Sequence, residues 1–79
     1  MVSPTVTIYS TPTCHFCHKA KDYFTANHVA FTDYNVATDL EKRKDMIEKS
    51  GQMGVPVIYI DDKLVVGFDE EQLKGLLGL

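Results

Sequence analysis

The sequence predicts a single small α/β domain, one mixed β-sheet carrying packed helices in the order β-α-β-α-β-β-α. Three observations predict it. Short β-branched apolar runs alternate with helical periodicities, two segments carry helix-capping spacing, and a polar Asp61-Asp62 pair joins the last two strand-like runs. Two successive βα units imply parallel strands with a right-handed crossover, and the closing hairpin adds antiparallel pairing.

The first strand is read at Thr5 to Tyr9, "TVTIY", short and β-branched enough to be buried. Ser10 to Thr13 reads as a loop, with Pro12 setting the backbone. From Cys14 or His15 to about Asn27, Cys17, Ala20, Ala26 and the aromatics Phe16, Tyr23 and Phe24 recur at near-helical spacing. Ala30 to Val36, "AFTDYNV", alternates as a second strand. Thr38 and Glu41 have capping-box spacing and open a helix running to about Lys49, stopped by Ser50 and Gly51, with Leu40, Met46 and Ile47 as its core contacts. Val55 to Ile60 reads as a central strand, and Asp61-Asp62 turns into the short strand Lys63 to Val66. Asp69 and Gln72 repeat the capping spacing ahead of a helix with Leu73, Leu76 and Leu77 on one face.

A chain of 79 residues makes one domain, taken here as residues 1–79, with a core covering a modest share of its surface. The net charge is −3, and the only basic run, Lys42 to Lys44, is followed at once by Asp45 and Glu48. That pattern is a solvated helix face and argues against nucleic acid as a partner. "MVSPTVTIYS" carries no export signal and no apolar run approaches membrane-spanning length, so a cytoplasmic location is expected.

"TPTCHFCHKAK", Thr11 to Lys21, holds both cysteines and two of the three histidines. Three chemistries suit it: C-x-x-C a redox dithiol, C-x-x-C-H haem attachment, and Cys14, Cys17 and His18 three zinc ligands, with His28 distant along the chain. As a structural staple the pair is poor, since closing a loop of roughly four residues contributes only about 2 kcal/mol. In a reducing compartment such a pair is catalytic or metal-binding rather than structural. Cys14 sits where a helix begins, among unpaired N–H groups that favour a thiolate, and Cys17 lies one turn on along the same face, placed to attack a mixed disulfide at Cys14. His15, if protonated, would favour that thiolate; otherwise it faces solvent.

"YSTPTCHFCHKAK", "SGQMGVPVIYID" and "VGFDEE" resemble the matching parts of glutaredoxins, small members of the thioredoxin superfamily, and together span nearly the whole chain. The resemblance implies a thioredoxin-like fold, a four-stranded mixed sheet with helices on both faces, and thiol–disulfide exchange in a groove formed by three loops. It matches Cys14 to the family's nucleophile, Cys17 to its resolving cysteine and Pro56 to its cis-proline, with Val55 offering backbone groups to substrate. Thr13, His15, Phe16, Gln52, Gly67, Phe68 and Asp69 would complete the groove, and His18 and Lys19 fall where a histidine and a basic residue often follow.

The sequence departs from the family pattern at His15, where proline is commonest, at Gly54, where threonine usually stands, and at "VGFDEE", where many members show Gly-Gly-Cys-Asp-Asp. The last departure resembles the redoxins that serve ribonucleotide reductase. The implied protein is a monomer with no bound cofactor or metal, acting on disulfide-containing proteins, with glutathione as candidate co-substrate and either glutathione or thioredoxin reductase as reductant; the alternative that the resemblance permits is an iron–sulfur cluster bridged between two subunits.

Overall fold

The computed structural model describes residues 4–79; the first three residues of the segment read for an export signal lie outside them. Strands β1 (Val6–Ser10), β2 (Thr32–Asn35), β3 (Val57–Ile60) and β4 (Lys63–Val66) alternate with helices α1 (His15–Ala26), α2 (Leu40–Ser50) and α3 (Glu70–Leu77) in the expected order. They form one sheet with strand order β2-β1-β3-β4. β1 and β2 are parallel, while β3 is antiparallel to β1 and to β4.

The period of two along the strands sorts their side chains onto two faces. On one face Val6 and Ile8 of β1, Ile58 and Ile60 of β3 and Val65 of β4 are buried against Ala20 and Phe24 of α1 and Leu73 of α3. Leu76 and Leu77 pack against the same cluster, so the leucine face read in the sequence is the face that docks. On the other face Tyr9, Val36 and Val57 pack with Met46 of α2, rimmed by Tyr34, Ile47, Tyr59 and Leu64. Helices therefore cover both faces, and burying each large side chain fully contributes roughly 1.5–3 kcal/mol.

Element ends move where tertiary pairing overrides local pattern. Ser10, read as loop, is the last residue of β1 because it pairs with Asn35, and Val36 N–H donates to Ser10 O at 2.9 Å just beyond. The second strand contracts to Thr32–Asn35, the stretch that pairs with Thr7 to Ser10 of β1, and Phe31 just before it packs its ring against Phe24, with centroids 5.5 Å apart. The third begins at Val57 rather than Val55.

The start of α2 is a correction. Asp39, not Thr38, is the N-cap: its Oδ1 accepts Lys42 N–H at 3.1 Å. Thr38 Oγ1 instead donates back to Asn35 O at 3.4 Å. Leu40 is corrected with it. It occupies the first helical position, about 10 Å along the axis from Ile47, and is 70 % exposed rather than a core contact.

Candidate functional site

Sheet register brings three loops to one end of the molecule. Tyr9 near the end of β1 pairs with Val57 at the start of β3, and Val57 pairs with Val66 at the end of β4. The segments after β1, before β3 and after β4 thus emerge side by side. Gly67 N–H donates to Pro56 O at 2.9 Å, tying the third loop to the second, with Gly67 in the left-handed region at φ 79 that glycine adopts without strain.

The first of these loops delivers Cys14 as the N-cap of α1. Its backbone is extended (φ −84, ψ 113) and its Sγ accepts Cys17 N–H at 3.2 Å. The first turn of α1 carries no acidic residue, whereas α2 and α3 have Glu41 and Glu70 with Glu71. Nothing negative competes with the sulfur for the positive end of that helix. Across the site, the half-buried Cys14 thiol donates to Val55 O at 3.8 Å, joining two loops 41 residues apart in sequence. The Val55–Pro56 peptide bond is cis, and Pro56 is buried.

Cys17 has no exposed surface. Burial, reinforced by a hydrogen bond with the Cys14 thiol, pushes its own thiol up to about 12. Both cysteines are free. One sulfur faces solvent at a helix end and the other waits behind it in the interior.

The other residues read for the site divide by exposure. Thr13, His15 and Phe16 are exposed beside Cys14; Phe16 is 55 % exposed, with the His15 ring 5.5 Å and Lys19 Nζ 6.0 Å from its centroid. Gln52 is exposed in the second loop and Val55 half-buried. Phe68 is half-buried, its ring edge-on to Tyr23 at 6.0 Å, so that side chain belongs to the rim of the core. Asp69 Oδ1 caps α3 by accepting Gln72 N–H at 3.2 Å. Among the described residues no three His, Cys, Asp or Glu side chains are grouped to hold a metal ion, and no helix is long and apolar enough to cross a membrane.

Two features went unread in the sequence. His18 Nε2 lies 2.7 Å from Pro12 O and so ties the loop before α1 to the helix it opens. Met53, 68 % exposed in the second loop, adds apolar surface there. Nothing in the spacing of His18 announced its partner, because the loop had to fold back first.

Element order, strand order and a thiol pair at the start of the first helix define a small protein of the thioredoxin-like class. The crystal structure of the thioredoxin-like protein BC3987 superposes with a TM-score of 0.87 at 29 % identity, covering 92 % of this chain and 100 % of that one. The glutaredoxin-1 structure from Archaeoglobus fulgidus gives 0.78 at 33 % identity over 92 % and 85 %. The family model described as Glutaredoxin matches residues 6–65, and the chain belongs to the glutaredoxin family of thiol–disulfide oxidoreductases. Among its relatives, a glutaredoxin-like 8.6 kDa protein in a rubredoxin operon of Clostridium pasteurianum is 44 % identical over 72 residues, 91 % of this chain and 96 % of its own length. Glutaredoxin 3 of Escherichia coli (strain K12) is 37 % identical over 65 residues, 82 % of this chain and 78 % of its own.

Proposed function

We propose that Cys14 is the nucleophile and Cys17 the resolving thiol of a dithiol cycle that reduces protein or glutathione mixed disulfides. The observation that carries this is the helix start itself: a half-buried sulfur accepting an N–H at 3.2 Å, with a fully buried thiol three residues behind it. Cys14 as thiolate attacks one sulfur of the substrate disulfide, and the other sulfur leaves with the electron pair and takes a proton. Cys17 then loses its proton and attacks Cys14. The bond to substrate breaks as the Cys14–Cys17 bond forms, and a second reduced thiol departs. Two electrons pass from the dithiol to the substrate, and an external reductant must restore them.

Substrate would lie in extended form along the second loop, where Val55 precedes β3 and its carbonyl already meets Cys14. Thr13, His15, Phe16 and Gln52 would flank it, with Pro56 beneath and Gly67, Phe68 and Asp69 as the third wall. Glutathione fits this reading because glutaredoxins use it as co-substrate. The rubredoxin-operon setting of one relative supports a role among small redox proteins of a reducing, cytoplasmic compartment, disulfide-forming reductases such as ribonucleotide reductase included.

NADPH consumption with a small disulfide tests the reading, with electrons from glutathione plus glutathione reductase in one arm and from thioredoxin reductase alone in the other. Turnover in the first arm makes glutathione the donor despite "VGFDEE"; turnover in the second alone makes the protein a redoxin fed by thioredoxin reductase. Silence in both arms removes the proposal.

A further inference from the structure

Three side chains that are distant in sequence meet where β1, β2 and α1 come together. Ser10, at the end of β1, is 2 % exposed, and its Oγ donates to Asp33 Oδ1 on β2 at 2.5 Å. The other carboxylate oxygen of Asp33 takes Lys21 Nζ of α1 at 3.1 Å, with the two side chains 22 % and 33 % exposed for Lys21 and Asp33. Both oxygens of one carboxylate are thus engaged, from two different elements. An isolated ion pair at this exposure contributes little to stability, yet this one is anchored to a buried hydroxyl at the mouth of the active-site loop.

Lys21 lies four residues after Cys17, on the same side of α1 and one turn further in. We propose that Lys21, held by Asp33 and Ser10, is a positioning residue for ring closure: its ammonium favours the thiolate that the buried Cys17 must become before it attacks Cys14. The inference rests on the dithiol cycle above and deepens it. The groups acting on Cys17 are the Cys14 thiol and Lys21 from its own helix, the Thr11 backbone from the loop before it, and Asp33 of β2 and the Ser10 hydroxyl of β1 through Lys21. Lys21 is the one cation among them. Asp33 pairs with its ammonium and holds it, and Lys21 opposes the burial that raises the Cys17 thiol. The first attack, by Cys14 at the solvent-facing helix end, has no need of this charge; the second does.

The test separates the two attacks in the full chain by mixing the reduced protein with 2,2′-dithiodipyridine and following pyridinethione release. Attack by Cys14 releases one equivalent and leaves a Cys14–pyridyl mixed disulfide; attack by Cys17 on Cys14 releases the second equivalent and leaves the intramolecular disulfide. Lys21→Met and Lys21→Gln should slow the second phase about threefold to tenfold near pH 7, and move its pH profile upward by about half a unit or more. The first phase should hold its rate, and Lys21→Arg should restore the second. A second phase unchanged in rate and pH profile overturns the proposal, as does equal slowing of both phases in the two neutral variants. Loss of the first phase in the wild-type protein would instead overturn the dithiol cycle itself.

Discussion

The start of α1 and the starts of α2 and α3 share one backbone design and differ in one atom type. Cys14, Asp39 and Asp69 are all extended N-caps, with φ of −84, −99 and −116, and each side chain accepts the N–H of the residue three positions on. The acceptor distances are 3.2, 3.1 and 3.2 Å. Where two helices use a carboxylate, the third uses sulfur. The donors that satisfy a helix end thus also hold a sulfur, and the weaker capping group is kept at the helix start whose side chain meets Val55 of the second loop. On the proposed cycle, stability resides in the acidic caps and reactivity in the thiol cap.

Replacing the sulfur should separate those two properties most sharply. Cys14→Ser should lower disulfide reduction by about a thousandfold or more, because a hydroxyl does not ionise to a nucleophile here. Serine caps well and can both accept Cys17 N–H and donate to Val55 O, so thermal unfolding should stay level or rise slightly. Cys17→Ser should stop the dithiol cycle while a mixed disulfide accumulates at Cys14, visible as added mass on the intact protein. Disulfide reduction by Cys14→Ser within tenfold of wild type would break the comparison at its functional side.

The acidic caps give the converse result. Asp39→Ala and Asp69→Ala should each cost about 1 kcal/mol, about 4–8 °C in a domain of this size, and Asp39→Ala should leave turnover unchanged. Asp69→Ala tests more, since Asp69 also borders the proposed third wall. A rise in KM beyond its stability loss would show a carboxylate serving both cap and substrate. If Asp39→Ala instead left stability untouched, the capping role assigned from its bond to Lys42 N–H would fall.

The difference between these helix starts was only half legible in the chain. The near-helical spacing after Pro12 marked Cys14 or His15 as the helix opener, and Asp69 with Gln72 carried its own signal, because capping is local. Thr38 with Glu41 carried the capping spacing that misplaced the start of α2. The turn from Asn35, whose carbonyl accepts both Thr38 and Asp39 N–H, leaves Asp39 to open the helix. The approach of Val55 to Cys14 and the Ser10–Asp33–Lys21 network were silent in the sequence. Each joins residues that only strand register or chain reversal makes neighbours, and no periodicity encodes that.

The buried thiol sharpens the comparison through pH. An unfolded cysteine ionises near 8.5, whereas burial pushes Cys17 in the folded chain up to about 12. Between those values the folded state binds the proton that the unfolded state has released. The stability that Cys17 contributes as a neutral buried thiol is thus complete below about pH 8.5 and lost as pH rises toward 12, by up to about 1.4 kcal/mol per unit. Tyr9, also raised by its burial, acts with the same sign in wild type and variant and so cancels in their difference. Unfolding of the reduced protein and of Cys17→Ala, measured at pH 7, 9 and 10, should show the wild-type advantage constant up to pH 8 and shrinking above it. An advantage that stays flat to pH 10 would mean that Cys17 ionises as readily in the fold as in the open chain.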